Sequence, residues 1–344
     1  MPEPTGALVA AYHGTLPRIA GPLAHAGAGA VILGRATLGT GAWLGPCVVI
    51  RADGHDVTIG DDAHLGARAT VHIAHDLYPT LIGHRVTAGP KAVIHACTIG
   101  DDCVIDREAV VLDGSTVGAG AMIAAGAIVF PRSTLEGGWL HEGSPAKPVA
   151  RLTADDLARH RARVRTDRPA PLPLPPGPGP ALEAFVAPSA EVRGRVMVGE
   201  GVGIWYGCVL AAGNHRIEVG AGTNIQDNTL LLCDEGDIVI GPDVTIGHNV
   251  TMAECRVGAN SLVGIGARLA AGTVVESDVL VAAGAETEPG QRLTAGQVWG
   301  GRPARPIGPM DDRKRAMLAA TLPTYRAYAA AFRAEPHAPL SAGS

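Results

Sequence analysis

Residues Ile82 to Ile123 read IGHRVTAGPKAVIHACTIGDDCVIDREAVVLDGSTVGAGAMI. Apolar residues recur at Ile82, Ala88, Ile94, Ile99, Ile105, Val111, Val117 and Ile123, about six places apart and often followed by a small residue. Six is too long a period for a strand and too regular for a helix. It fits a coil with three flat sides, each side a short strand and each corner a turn of small residues. Successive coils stack about 4.8 Å apart, and the sixth-position residues fill the prism. No single coil buries its apolar stack alone, so such repeats are stable only in series.

Upstream the period extends through Leu38, Leu44, Ile59, Leu65 and Val71, and the periodic region is expected to begin near Val31. Downstream it fades after Val129, and Gly143-Ser-Pro-Ala-Lys147 is expected to close the coil. Leu152 to Val164 reads as a helix with Thr153 as N-cap and Asp155 and Asp156 in its first turn. Pro169 to Pro180 holds seven prolines in twelve residues, a semi-rigid linker reaching roughly 37 Å at about 3.1 Å per residue. The period then restarts at Val198, Ile204, Leu210, Val219, Ile225, Leu231, Ile240, Ile246 and Met252 and runs to Val275. Gly300-Gly-Arg-Pro-Ala304 mirrors Glu142-Gly-Ser-Pro-Ala146, and a helix is expected from Asp311 to Ala334. The chain is an internal duplication: residues 1–166 form one β-helical half with its helix, 167–181 the linker, and 182–344 the second half with its helix.

Composition agrees. The 344 residues include 46 Gly and 26 Pro with only 3% aromatics, which favours short stacked strands over a helical bundle. A net charge of -5 offers no basic stripe for nucleic acid. Six cysteines without CxxC spacing read as buried thiols. With no charged, apolar leader and no membrane-length segment, a cytoplasmic location is expected.

Several motifs ride on the repeats: Val49-Ile-Arg-Ala-Asp53, Val71-His72, Ile94-His-Ala-Cys97 and the Gly-Ser-Pro-Ala-Lys run in the first half; Ile204-Trp-Tyr-Gly207, Asn224-Ile-Gln-Asp-Asn228, Ile246-Gly-His-Asn249 and Gly301-Arg-Pro-Ala304 in the second. With these motifs both halves resemble the gamma-class carbonic anhydrase family of hexapeptide-repeat proteins, over nearly the whole chain apart from the linker. The resemblance implies an all-β fold of two left-handed parallel β-helices, each followed by a C-terminal helix. It also implies trimeric assembly, with a zinc-type site between subunits that takes two histidines from one subunit and one from its neighbour.

The departures from the family pattern are complementary. The first half keeps Arg51 and Asp53 and two ligands, His72 and His95, but has Pro90 for the remaining ligand and Gly66 and Ala67 for the glutamine and aspartate. The second half keeps Gln226, Asp227 and the ligand His248, but has Leu232, Ala253, Ala211 and Gly213 in the other places. His72 and His95 are expected to lie one above the other on one side of the prism. Gln226 and His248 are expected to stack on the preceding side. Docked as family subunits dock, the halves would bring His72, His95 and His248 together as a three-imidazole ligand set for zinc, with iron or cobalt as substitutes. Gln226 would orient the attacking hydroxide, and Arg51 and Asp53 beside Asp227 would bridge the halves.

The resulting expectation is a metalloenzyme hydrating CO2 to bicarbonate, with the halves packed as pseudo-subunits and a homo-oligomer open. Two alternatives stand: a catalytically silent scaffold, since only His75 and Asp76 offer themselves as proton relays, and an acyltransferase by analogy of fold. The other histidines read as solvated or packing residues.

Overall fold

A computed structural model describes residues 6–172, 174, 179, 180 and 182–340. The chain divides into two compact units, Met1–Ala170 with Ala331–Ser344, and Pro171–Ala330. Each is a parallel three-sided β-helix, and each carries an α-helix after its last coil.

In the first unit one side stacks Val31–Leu38, Val49–Ile59, Thr70–His72, Val93–His95, Val110–Val111 and Ile128–Val129 in parallel register. A second stacks Thr80–Ile82, Thr98–Ile99, Thr116–Val117 and Thr134–Leu135. The third runs from His25–Ala26 through Trp43–Leu44, His64–Leu65, Thr87–Ala88, Val104–Ile105 and Met122–Ile123. Ile50, Leu65, Val71, Ile82, Ala88, Ile94, Ile105 and Val111 point inward and form one continuous core. The small residue after each inward one is a matter of space. A Cβ on Gly66 would lie 2.7 Å from the carbonyl carbon of Gly89 in the next coil, and one on Gly89 2.6 Å from the Arg107 nitrogen.

The coil is longer than the period shows. It starts before Val31, because Leu8–Ala10 already pairs in parallel with the strand beginning there. It also continues past Val129 into Thr134–Leu135 and Trp139–Glu142. Turns of irregular length hide these end coils from a fixed period. Trp139–Glu142 then folds back antiparallel on Lys147–Arg151, which ends the stack. Helix α1, Ala154–Thr166, opens on a reciprocal capping box between Thr153 and Asp156. It buries Val164 against Val104 and Met122.

The second unit repeats the plan. Glu191–Val198, Val209–Val219, Leu230–Leu232, Thr251–Ala253 and Arg268–Leu269 form one side. Phe185–Val186, Gly203–Ile204, Asn224–Ile225, Thr245–Ile246 and Leu262–Val263 form another. The period again runs on past Val275, into Leu280–Val281 and Gln297–Gly300. Helix α2, Asp312–Ala334, lays Leu318, Leu322, Tyr325 and Tyr328 inward at helical spacing. Trp205 meets Tyr325 and Tyr328 edge-on, with ring centroids 5.2 and 6.4 Å away. The end of α2 and the strand His337–Pro339 belong to the first unit, where that strand pairs antiparallel with Leu8–Ala10.

Most of the linker's centre lies outside the described residues. All six cysteines are free, five of them buried and Cys47 half-buried. Among the described residues, no helix is long and apolar enough to cross a membrane.

Candidate metal centre

In the first unit His72 and His95 occupy the same register position one coil apart. The strand geometry turns both rings out of the prism on one side, flanked inward by Val71 and Ile94. Their backbones are tied by Thr80, whose hydroxyl donates to the His72 carbonyl and accepts the Ala96 N–H at 2.9 Å. His72 Nδ1 and His95 Nε2 face each other at 3.2 Å. The outer nitrogen of each ring is held by a carboxylate: His72 Nε2 lies 3.0 Å from Asp53 Oδ1, and His95 Nδ1 lies 2.6 Å from Asp113 Oδ1. A carboxylate fixes a proton on the nitrogen it faces and leaves the other as a lone pair. The two lone pairs therefore point at one another, an arrangement that a shared cation satisfies. Asp53 is itself gripped by Arg51, and both side chains are fully buried.

The second unit supplies the reciprocal set. Asp227 accepts the Tyr206 N–H at 3.1 Å, and its Oδ2 stands 3.1 Å from Nδ1 of the fully buried His248, close enough for charge pairing though outside good hydrogen-bond geometry. The other nitrogen, Nε2, lies 3.5 Å from the Tyr325 hydroxyl of α2. The expected stacking of Gln226 with His248 is off by one place. Ile225 pairs with Ile246, so Gln226 stands level with Gly247 and it is Asp227 that supports His248. Gln226 is buried at the corner before Asp227. Leu232 and Ala253 share a register, which places both lost ligands on the side equivalent to that of His72 and His95.

One ring nitrogen from each of His72, His95 and His248 lies within 4.8 Å of the others, and all three residues are buried. Nitrogens about 2.0–2.1 Å from a tetrahedral ion are ~3.4 Å apart, and the His72–His95 pair already stands at 3.2 Å. The donor set fits a metal ion. The thiols do not join it: burial pushes Cys97 above its ordinary pKa and Cys233 up to about 11, away from the thiolate that binds metal. His75 and Asp76 are exposed on the loop after His72.

Two of these groups escape the sequence reading. Asp113 carries a usable signal, since Val111 pairs with Ile94 and places Leu112-Asp113 one coil beyond His95-Ala96. Tyr325 carries none, because the packing of α2 lies outside the repeat.

Fold and site define a hexapeptide-repeat β-helix protein with a group of three histidines able to hold a metal ion. Known proteins narrow the class. Residues 96–131 match the family described as Bacterial transferase hexapeptide (six repeats). The chain is 42% identical over 166 residues to Gamma carbonic anhydrase 1, mitochondrial, of Arabidopsis thaliana, covering 46% of this chain and 60% of that protein. It is 36% identical over 138 residues to Protein YrdA of Escherichia coli, covering 38% of this chain and 75% of that protein. A putative acetyltransferase from Desulfovibrio desulfuricans G20 shares the fold over 98% of this chain and 87% of its own, with a TM-score of 0.55 at 13% identity. The chain belongs to the gamma-carbonic-anhydrase-like hexapeptide-repeat family and carries an internal duplication. It spans 60%, 54% and 62% of the length of three plant carbonic anhydrases it matches.

Proposed function

We propose that the protein is a carbonic-anhydrase-like metalloenzyme that hydrates CO2 to bicarbonate at a centre made by His72, His95 and His248. The observation that carries this reading is the grouping of three buried imidazoles, with Asp53, Asp113 and Asp227 beside their other nitrogens. Zinc is the favoured ion, with iron or cobalt as substitutes, and when bound it supplies hydroxide at neutral pH. The chain's own groups do the rest. Asp53 and Asp113 hold the tautomers of His72 and His95 that present lone pairs, Asp227 stands beside His248 Nδ1, and Arg51 pairs with Asp53. The Tyr325 hydroxyl stands 3.5 Å from His248 Nε2, where it can donate to solvent beside that nitrogen. Gln226 is the residue proposed to orient the nucleophile against CO2. Arg51, Asp53 and Asp227 are proposed to bridge the two units as well. A cytoplasmic location belongs to the same reading, as does homo-oligomerisation.

The deciding experiment is His248→Ala. Metal analysis of the purified variant should show stoichiometric zinc lost, and stopped-flow CO2 hydration by the metal-loaded parent should exceed the buffer rate. Zinc content unchanged by the substitution would sink the three-histidine centre. A metal-loaded parent with no rate above buffer would favour a silent scaffold, a reading motivated by the exposed setting of the candidate relays His75 and Asp76.

A further inference from the structure

The side of the second unit that lacks histidines is not bare. Val209, Ala211 and Leu230 are buried on it, and Leu172, Leu174 and Leu232 pack against them. Leu172 and Leu174 come from the proline-rich segment. The far end of that segment also hugs the unit: a Cβ on Gly179 would lie 2.1 Å from the Val192 carbonyl oxygen. Val192 pairs with Leu210, and Leu210 with Leu231. Both described ends of the segment therefore lie on the same run of adjacent strands.

Two of the residues in this cluster, Ala211 and Leu232, are counterparts of members of the first unit's polar set. By the repeat, Arg51, Asp53, His72, His95 and Asp113 correspond to Ala211, Gly213, Leu232, Ala253 and Ala271. A leucine laid on the first set would face a charged pair and two imidazoles. Laid on the second it packs with Val209, Ala211 and Leu230, and it removes a patch that would otherwise invite association. Prolines on either side of the leucines restrict the chain before it docks, which lowers the entropy lost on docking.

We propose that the linker is an intramolecular cap: Leu172 and Leu174 occupy the ligand-free side of the second unit and keep a second copy of the chain from docking there. This takes from the metal reading only the equivalence of the two sides. An uncapped side meeting a different surface on the next copy would be a heterologous contact, which propagates unless it closes into a ring.

The test compares the full-length parent with Leu172→Gly/Leu174→Gly and with the same variant carrying Leu232→Asp. Sedimentation velocity is run over a concentration series, with circular dichroism melts to confirm folding and zinc per chain read on the same samples. Release of the leucines should raise the weight-average mass with concentration by about twofold or more, as expected of a new self-association. The added Asp should return the mass to the parent's value. A double-glycine variant that keeps the parent's mass throughout overturns the cap. So does extra mass that Leu232→Asp leaves in place, which would mark general unfolding. The zinc content should stay at the parent's value in all three, so a failure of the metal reading shows separately.

Discussion

The equivalent sides of the two units have opposite chemistry on one backbone. In the first, Arg51, Asp53, His72, His95 and Asp113 form a connected polar network. In the second, the counterparts are apolar or glycine and lie in a register as regular as the first. At the corner the exchange runs the other way: Gly66, Ala67 and Pro90 in the first unit stand where the second has Gln226, Asp227 and His248. The coil is indifferent to what its outward residues are, because the prism is filled by the inward ones. A duplicated β-helix can therefore lose half of a site from each copy at no cost to the fold, provided the halves lost are different ones.

The sharpest way to break this comparison is at the carboxylates. Asp53→Asn removes a carboxylate charge that pairs with the buried Arg51 guanidinium, a change expected to destabilise the first unit by roughly 3–5 kcal/mol. It should also weaken metal binding by about 10–100-fold. Denaturant unfolding and competition with a chromogenic chelator read the two effects. Gly213→Asp, at the equivalent place in the second unit, should leave metal affinity unchanged.

Asp227→Asn should weaken metal binding by a similar 10–100-fold or so. Asp113→Asn should act in the same direction but less, because its side chain is 41% exposed and water can take over its role. Equal effects of the two substitutions would erase the distinction drawn between them.

Acid should separate the units. His64 of the first unit stacks flat on Trp43 at 4.2 Å, and burial, with Arg165 and Arg168 nearby, drives its pKa down to about 4. The folded state excludes the protonated ring, so the unfolded chain takes up the proton first, near its ordinary pKa of about 6.5. His64 thus contributes stability that is full above that value and lost as the pH falls towards 4, on the order of a few kcal/mol. The second unit has Asn224 at the same position and lacks this term. A pH series of melts should show His64→Asn flattening the acid limb. An unchanged limb would assign the acid sensitivity elsewhere.

The smallest expected effect is at α1. Thr153→Ala removes the hydroxyl that accepts the Asp156 N–H at 3.1 Å and should cost about 1 kcal/mol, measured by urea unfolding. Helix α2 starts at Asp312 with Asp311 accepting the Lys314 N–H at 2.9 Å and is untouched by this change, so the loss should be confined to the first unit.

Most of the architecture was legible along the chain. The six-residue period gave the coil, its restart after the linker gave the duplication, and the sorting of Arg51, Asp53, His72 and His95 against Gln226, Asp227 and His248 gave the divided ligand set. These are properties of residues at fixed offsets, and a parallel coil converts an offset directly into a register. The same arithmetic failed by one residue at Gln226 and His248, where counting sides does not resolve which corner residue lies above which.

Offsets could not supply the rest. The end coils broke the period because their turns differ in length. Tyr325 reaches His248 from a helix whose packing is set by its own apolar stripe, with no repeat to tie the two together. Leu172 and Leu174 read only as linker, and their place against Ala211 and Leu232 follows from which surface was apolar enough to receive them. The sequence by itself determined the coil and the inventory of candidate ligands, because both follow from spacing within one stack. Only the tertiary structure decided the carboxylate behind each imidazole, the tyrosine beside His248 and the cover on the empty side, because these depend on groups far apart in the chain meeting in space.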